Sequence, residues 1–247
     1  MEAAQKIRQA VADVSLLRKS CSADAALHDG VKAVKRTQGS RFAGTYRDLL
    51  AGGPFAAPTR FFLEELYGDA DYTERDAQFA RIAGAMEKFF PADVTDTAVA
   101  LARLHALTED LDFRMGQAWV GADFAAMPPA QRYVAAWRRV GRRADREAQL
   151  QVVLGIGNEM ARLTRLPGLR LMLKMMRGPA AAAGMGSLQR FLETGFDTFS
   201  SMAQRPGGAE TFLSIVRERE TKLIAMLFDA DLVACEAELA LALGQAP

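Results

Sequence analysis

One of the two histidines of this sequence lies in a setting that could support chemistry. His105 falls inside a helical pattern, with Glu109 four residues and Asp112 seven residues further on. Carboxylates at this spacing share a helix face with the imidazole and could orient it. A protein metal site needs three or four ligands at defined spacings, and neither His-Glu-x-x-His nor Glu-x-x-His occurs here. We therefore predict no metal and no cofactor, and a histidine at a helix surface, with a haem-ligand role for His105 as the alternative.

A polar pair, Asn158-Glu159, directly follows Gly155-Ile-Gly157 inside an otherwise apolar helical segment. Small residues allow another helix or a ligand to approach closely, and buried polar groups must find partners. An exposed polar stripe is the favoured interpretation of this pattern, and a pocket wall is the alternative. The pocket hypothesis predicts lining by Arg60, His105, Trp119, Asn158 and Glu159, with Arg60 as an anion partner.

Basic side chains are concentrated in two segments, 137–146 and 169–177. The first is a solvated face, or pairs with the acidic residues of 61–127, because a net charge of +1 argues against nucleic-acid binding. The second mixes leucine and methionine with cations, which suits a core helix, an adaptable groove or a membrane surface. The predicted interaction surface comprises Arg138, Arg139, Arg142, Arg143, Arg170, Lys174 and Arg177.

The net charge hides an alternation along the chain. Residues 1–60 carry +5, 61–127 carry −8, 128–180 carry +8 and 181–247 carry −4. Acidic and basic helices lying side by side in one fold would neutralise this pattern, and so would attraction between two copies.

Helical periodicity dominates the elements that must position these residues. Apolar residues recur at spacings of three and four through most of the chain, whereas strand-like alternation never exceeds four positions. We predict an all-α, single-domain bundle over 1–247 with about ten helices and no significant sheet, its N-terminal helices (1–50) packing peripherally. Among the expected boundaries are a break at Gly39-Ser40, a helix end at Gly68 and a capping box formed by Thr73 and Asp76.

The cysteines and the lengths of the apolar runs indicate the cellular compartment in which the protein is expected. The two cysteines lie near opposite ends without Cys-x-x-Cys spacing, which is typical of a reducing environment. The first twenty residues lack a signal-peptide core, and no apolar run approaches the ~20 residues of a membrane span. We therefore expect a cytoplasmic protein without integral membrane association.

Four short segments carry a family resemblance: 61–68 (FFLEELYG), 72–76 (YTERD), 176–179 (MRGP) and 188–192 (LQRFL). Together they resemble a group of uncharacterised, all-helical proteobacterial proteins, over most of the chain beyond about residue 40. The resemblance implies a bacterial origin and carries no activity, cofactor or catalytic residue.

The sequence leads to two hypotheses about function, which belong to different classes of protein. The sequence favours a non-enzymatic helical binding protein that self-associates through complementary charged and apolar helix faces. The alternative is a helical pocket protein, or an enzyme, that acts on an apolar or haem-like small molecule.

Overall fold

The computed structural model describes residues 2–67, 71–124, 126–205 and 207–244. Within these ranges the chain forms α-helices, one short 3-10 helix and no strand. The prediction of an all-α fold is therefore confirmed. None of the described helices is both long enough and apolar enough to cross a membrane.

The helices are more numerous than the sequence pattern indicated, because several are short. In chain order they are α1 Ala3–Ser22, α2 Ala25–Thr45, α3 Arg47–Leu50, α4 Ala56–Glu65, α5 Thr73–Phe89, α6 Ala92–Trp119, the 3-10 helix Ala122–Phe124, α7 Pro129–Val140, α8 Arg143–Leu163, α9 Leu169–Met175, α10 Arg177–Ala182, α11 Gly186–Ala203, α12 Gly208–Asp229 and α13 Leu232–Ala242.

Local chemistry explains several helix ends. The Asp24 carboxylate accepts hydrogen bonds from two backbone N–H groups at the start of α2, and Asp231 does the same for α13. Pro129 is the first residue of α7, where its missing N–H costs nothing. Gly141 ends the same helix with φ of 65°, a conformation that favours glycine.

Contacts divide the chain into two compact units. Unit 1 comprises Met1–Ser15, Ala70–Ala106 and Gln151–Ile215, and unit 2 comprises Leu16–Asp69, Leu107–Leu150 and Val216–Pro247. Four of the boundaries fall inside α1, α6, α8 and α12, so these helices contribute residues to both units. The single-domain assignment stays a prediction.

Unit 1 has an apolar core rich in alanine. Small side chains allow helices to approach closely, and larger side chains from α1, α5 and α6 fill the remaining space. Its buried members are Ala4, Ile7, Ala10, Phe79, Ala83, Met86, Ala98, Val99, Ala102 and Leu188.

Unit 2 brings helices together at glycines. A Cβ on Gly116 of α6 would overlap with Val31 of α2, and a Cβ on Gly44 would overlap with the Ala242 carbonyl oxygen of α13. Both positions therefore require glycine for close helix packing. The same unit also buries large aromatic side chains, including Tyr46 and Tyr133.

One predicted helix boundary is wrong and another is confirmed. Helix α2 continues through Gly39-Ser40, where Gly39 accommodates the Tyr67 carbonyl oxygen beside it. Helix α5 begins at Thr73 as predicted, although the N-cap residue is Tyr72; the Asp71 carboxylate accepts from the Thr73 N–H, and the Asp76 carboxylate lies beside His105. The predicted helix end at Gly68 lies outside the described residues.

Candidate functional site

Three of the five predicted pocket residues belong to unit 1. His105 is partly exposed, and its Nε2 lies 2.9 Å from Oδ2 of the buried Asp76. Asn158 is exposed on α8, as the polar-stripe alternative predicted, and Glu159 is partly buried beside it. The described residues contain no group of three or more His, Cys, Asp or Glu side chains that could hold a metal ion.

Glu159 lines a groove in unit 1 between the first half of α6 and the second half of α8. The groove has a volume of about 540 Å³. Its lining residues are Asp93, Asp96, Thr97, Ala100, Val152, Gly155, Ile156, Glu159 and Arg162. A Cβ on Gly155 would meet no atom within 4 Å, so this glycine leaves space open, whereas Gly157 faces the Leu213 side chain. Small and apolar side chains thus form one part of the groove, and charged side chains form the other.

The charged part of this groove is acidic. Arg162 donates to Asp93 at 2.6 Å and to Glu159 at 2.9 Å. Asp96 is exposed and has no hydrogen-bond or ion-pair partner within the part of the chain that the structure describes. Three carboxylates and one guanidinium therefore leave the rim with an excess of negative charge.

Helix α9 presents exposed apolar side chains in the same unit. Its Leu173 carbonyl accepts from Gln189 of α11, and Arg170 pairs with Asp197 of that helix at 2.9 Å. Leu171 is nevertheless 62% exposed and Met175 70% exposed. Arg177 and Lys174, the other basic residues predicted for this interaction surface, are also exposed. Arg177 forms a bidentate pair with Glu193, whereas Lys174 has no ion-pair partner among the described residues. We call the exposed side of Leu169–Met175 the α9 face.

The Arg177 pair has an electrostatic effect on its carboxyl partner. The guanidinium lowers the pKa of Glu193 to about 2, because it donates hydrogen bonds to the charged form. An ion pair at this exposed position contributes little to stability.

The other two predicted pocket residues lie in unit 2 and differ in exposure. Arg60 is exposed on α4, whereas Trp119 is buried at the end of α6. The Trp119 carbonyl accepts from Arg132 Nε at 2.9 Å, and the same guanidinium lies 4.9 Å from the indole centroid.

The predicted arginine surface at the end of α7 and the start of α8 is largely neutralised within unit 2. Arg138 donates to the Leu227 and Ala230 carbonyls at the end of α12, where a cation stabilises a helix terminus. The other three arginines pair with carboxylates: Arg139 with Asp123, Arg142 with Asp110 and Asp145, and Arg143 with Glu147 and Asp229.

A buried charged cluster, which sequence periodicity missed, occupies the interior of unit 2. Arg41 Nη1 donates to Glu220 Oε1 at 2.7 Å, and the Tyr46 hydroxyl donates to the same oxygen at 3.0 Å. Arg41 also lies 5.4 Å from the ring centroid of Tyr67. Burial opposes the Arg41 charge, but Glu220 outweighs it and raises the pKa of the guanidinium. Burial also raises the pKa of Tyr46.

A second part of the cluster consists of side chains of α2 that contact carboxylates of α6. Gln38 Nε2 donates to Asp112 Oδ1 at 2.9 Å, and Lys35 pairs with Glu109 at 2.6 Å. Burial raises the pKa of Asp112. This carboxyl is therefore more easily protonated than an exposed aspartate.

Arg146 completes the cluster. It is only 7% exposed, and its guanidinium lies 4.2 Å from the ring centroid of Trp137. Its Nη1 donates to Gln149 at 3.3 Å, and Gln149 in turn donates to Thr108. We call Gln38, Arg41, Tyr46, Asp112, Tyr133, Trp137, Arg146 and Glu220 the buried centre.

These features define an all-α protein with a groove in unit 1 and a buried charged centre in unit 2. A family described as a domain of unknown function (DUF8198) matches residues 17–233, so the chain belongs to that family. This match confirms the coarser part of the predicted resemblance, an uncharacterised family that covers most of the chain. Comparisons with curated proteins and with solved structures find no match.

Proposed function

We propose that this chain is a non-enzymatic helical binding protein that self-associates, with the α9 face of one copy occupying the groove of another. The observation that carries this proposal is the pairing of chemistries within unit 1: an exposed apolar and basic helix face, and a groove with apolar lining and an acidic rim. A bacterial, cytoplasmic setting belongs to the same proposal. The family resemblance supports the first part, and the two free, buried cysteines support the second.

The α9 face needs a partner because of its exposed apolar side chains. Leu171 and Met175 are one helical turn apart and both are mostly exposed, and Leu166 and Met176 add further exposed apolar surface. Isolated apolar residues are ordinary on protein surfaces, but contiguous ones mark sites of association. Methionine suits such a site because its flexible side chain adapts to a partner.

Charge complementarity favours a second copy as the partner. Lys174 of the α9 face and Asp96 of the groove each have no ion-pair partner among the described residues, and they carry opposite charges. Because both surfaces belong to one unit, two copies can exchange α9 faces around a two-fold axis. Such a reciprocal arrangement closes at a dimer and forms each contact twice.

Sedimentation velocity over a range of concentrations at low salt tests this proposal. We expect a concentration-dependent dimer that weakens at high salt, and a monomer for the double variant Leu171→Glu with Met175→Glu. Val233→Glu is the matched control, because Val233 is also an exposed apolar residue (75% exposed) but belongs to α13 of unit 2. A wild-type monomer at all concentrations, or equal effects of the two kinds of variant, would contradict the proposal.

A charge exchange tests the identity of the groove. Lys174→Glu and Asp96→Lys should each weaken the dimer, because each places like charges opposite one another. The combined variant restores opposite charges and should restore dimerisation. Flotation with anionic vesicles separates the competing occupant: binding of the α9 face to vesicles by a protein that does not dimerise would favour a membrane surface instead.

A second candidate function, binding of an apolar small molecule, is favoured by the size of the groove. Its volume of about 540 Å³ is within the usual range for small-molecule sites. Native mass spectrometry of freshly purified protein would reveal a bound molecule, and Gly155→Leu should displace it by filling the groove. A Soret band that is lost in His105→Ala would instead identify the haem-like ligand considered from the sequence.

A further inference from the structure

Three donors in the buried centre of unit 2 lack acceptors. Three buried polar side-chain atoms among the described residues have no hydrogen-bond partner: Arg41 Nε, Trp137 Nε1 and Arg146 Nη2. All three are N–H donors, and all three belong to unit 2. A buried donor without an acceptor destabilises the folded state, and more so when the group is charged. The group that would satisfy this centre is therefore an acceptor.

Two of the three donors are direct neighbours. The Arg146 guanidinium lies over the Trp137 ring, and Tyr133 lies beside the same ring at a centroid distance of 5.8 Å. Burial lowers the pKa of Arg146, although the nearby Asp112 carboxyl opposes this shift. A buried guanidinium and a buried indole N–H thus lie side by side, each with an unsatisfied donor.

The charges of the centre are unevenly matched. Glu220 pairs with Arg41, and Glu109 pairs with Lys35. Arg146 has no ion-pair partner among the described residues, and its hydrogen bond to the uncharged acceptor Gln149 is long, at 3.3 Å. Asp112 is the remaining buried carboxyl of the centre, and its Oδ1 accepts from Gln38. Within the described part of the chain, Arg146 is therefore a buried cation that no carboxylate pairs with.

A bound water molecule could accept hydrogen bonds here but could not neutralise a buried cation. An oxyanion does both, and hydrogen bonds from guanidinium to carboxylate or phosphate oxygens are among the strongest in proteins. We infer that the buried centre of unit 2 is a binding site for a small oxyanion, a carboxylate or phosphate group held by Arg146 and Trp137. The site is independent of the α9 face and of the groove.

The two tryptophans of the chain allow a direct test without any substitution in the site. A two-dimensional ¹⁵N–¹H spectrum contains one indole cross-peak for Trp137 and one for Trp119, which Trp119→Phe assigns. Titration with inorganic phosphate, and separately with acetate, at constant ionic strength should move the Trp137 peak saturably and leave the Trp119 peak in place. The two titrations distinguish a phosphate from a carboxylate site.

A conservative substitution tests the role of the guanidinium. Arg146→Lys keeps the positive charge but removes the forked donors, so we expect the affinity for the anion to fall about tenfold or more. Arg114→Lys is the matched control, because Arg114 forms a surface pair with Asp110 in the same unit. If Arg146→Lys does not fold, Trp137→Phe removes one donor, retains an aromatic ring and should weaken phosphate or acetate binding about tenfold or more, measured by isothermal titration calorimetry because this variant lacks the indole peak.

Two results would overturn the inference. One is a Trp137 peak that neither anion moves, which would leave water as the acceptor. The other is an unchanged anion affinity in a folded Arg146→Lys variant.

Discussion

Unit 1 has a core of apolar side chains, many of them alanine, whereas unit 2 buries charged side chains among aromatic rings. Asp76 is the buried charged residue of unit 1 among those described, and it lies against His105. The corresponding residues of unit 2 are Arg41, Glu109, Asp112, Arg146 and Glu220. Both units are built from the same kind of helix, so the difference lies in what the helices enclose.

This difference teaches where each unit can carry out a function. The core of unit 1 is stabilised by the transfer of apolar side chains out of water, and such a core tolerates modest changes of shape. The proposed binding surfaces of unit 1, the α9 face and the groove, lie outside this core. Buried charges stabilise weakly but are costly to leave unpaired, so they impose a specific arrangement. In unit 2 the proposed binding site is therefore formed by charged groups in the interior.

The largest expected effect comes from breaking the pair at the buried centre. Glu220→Ala leaves Arg41 buried without its carboxylate and removes the acceptor of the Tyr46 hydroxyl. We expect the free energy of unfolding to fall by about 3–5 kcal/mol, measured by urea denaturation. Glu193→Ala is the control in unit 1, where the loss of an exposed pair should cost at most about 1 kcal/mol. Equal losses for the two variants would remove the contrast between the units.

A smaller effect is expected from trimming the core of unit 1. Ile7 is fully buried in the alanine-rich cluster. Ile7→Val deletes one methylene, so the free energy of unfolding should fall by about 0.5–1.5 kcal/mol in the same denaturation experiment. A loss as large as that of Glu220→Ala would mean that unit 1 is no more tolerant than unit 2.

The smallest effect, and one of opposite sign, is expected at Asp112. Its raised pKa means that the folded state disfavours the ionised carboxylate. The resulting penalty is present above the pKa of the folded state and disappears as the pH falls below the ordinary pKa of an unfolded aspartate. Asp112→Asn keeps the oxygen that accepts from Gln38 and removes the charge.

Thermal unfolding across pH measures this effect. Asp112→Asn should have a higher midpoint than the wild type at about pH 8, and the two midpoints should converge as the pH falls towards about pH 4. A lower midpoint for Asp112→Asn at about pH 8 would show that the charge of Asp112 stabilises unit 2.

Helical periodicity predicted the fold well because it depends on neighbours along the chain. The all-α class and the start of α5 at Thr73 both follow from such local patterns. The break expected at Gly39 failed because a glycine in a helix can also serve close packing, and the Tyr67 carbonyl that it accommodates is distant in sequence. The reason is a tertiary contact, and the periodicity of a sequence carries no information about tertiary contacts.

The site residues were less predictable for the same reason. Glu159 lines the groove, and the Gly155-Ile-Gly157 pattern was the signal that indicated it. Arg41 and Glu220 are separated by 179 residues, and each looks like an ordinary surface charge within its own helix. Arg146 belongs to an arginine-rich segment whose other members are neutralised at the surface. Only folding distinguishes the buried arginine from its neighbours.

The central claim is that unit 1 works by binding a second copy, and sedimentation equilibrium at low salt tests it most directly. The account predicts a dimer for the wild type, a monomer for Lys174→Glu and a dimer again when Asp96→Lys is added. A wild-type protein that stays monomeric, or a combined variant that stays monomeric although folded, would contradict it.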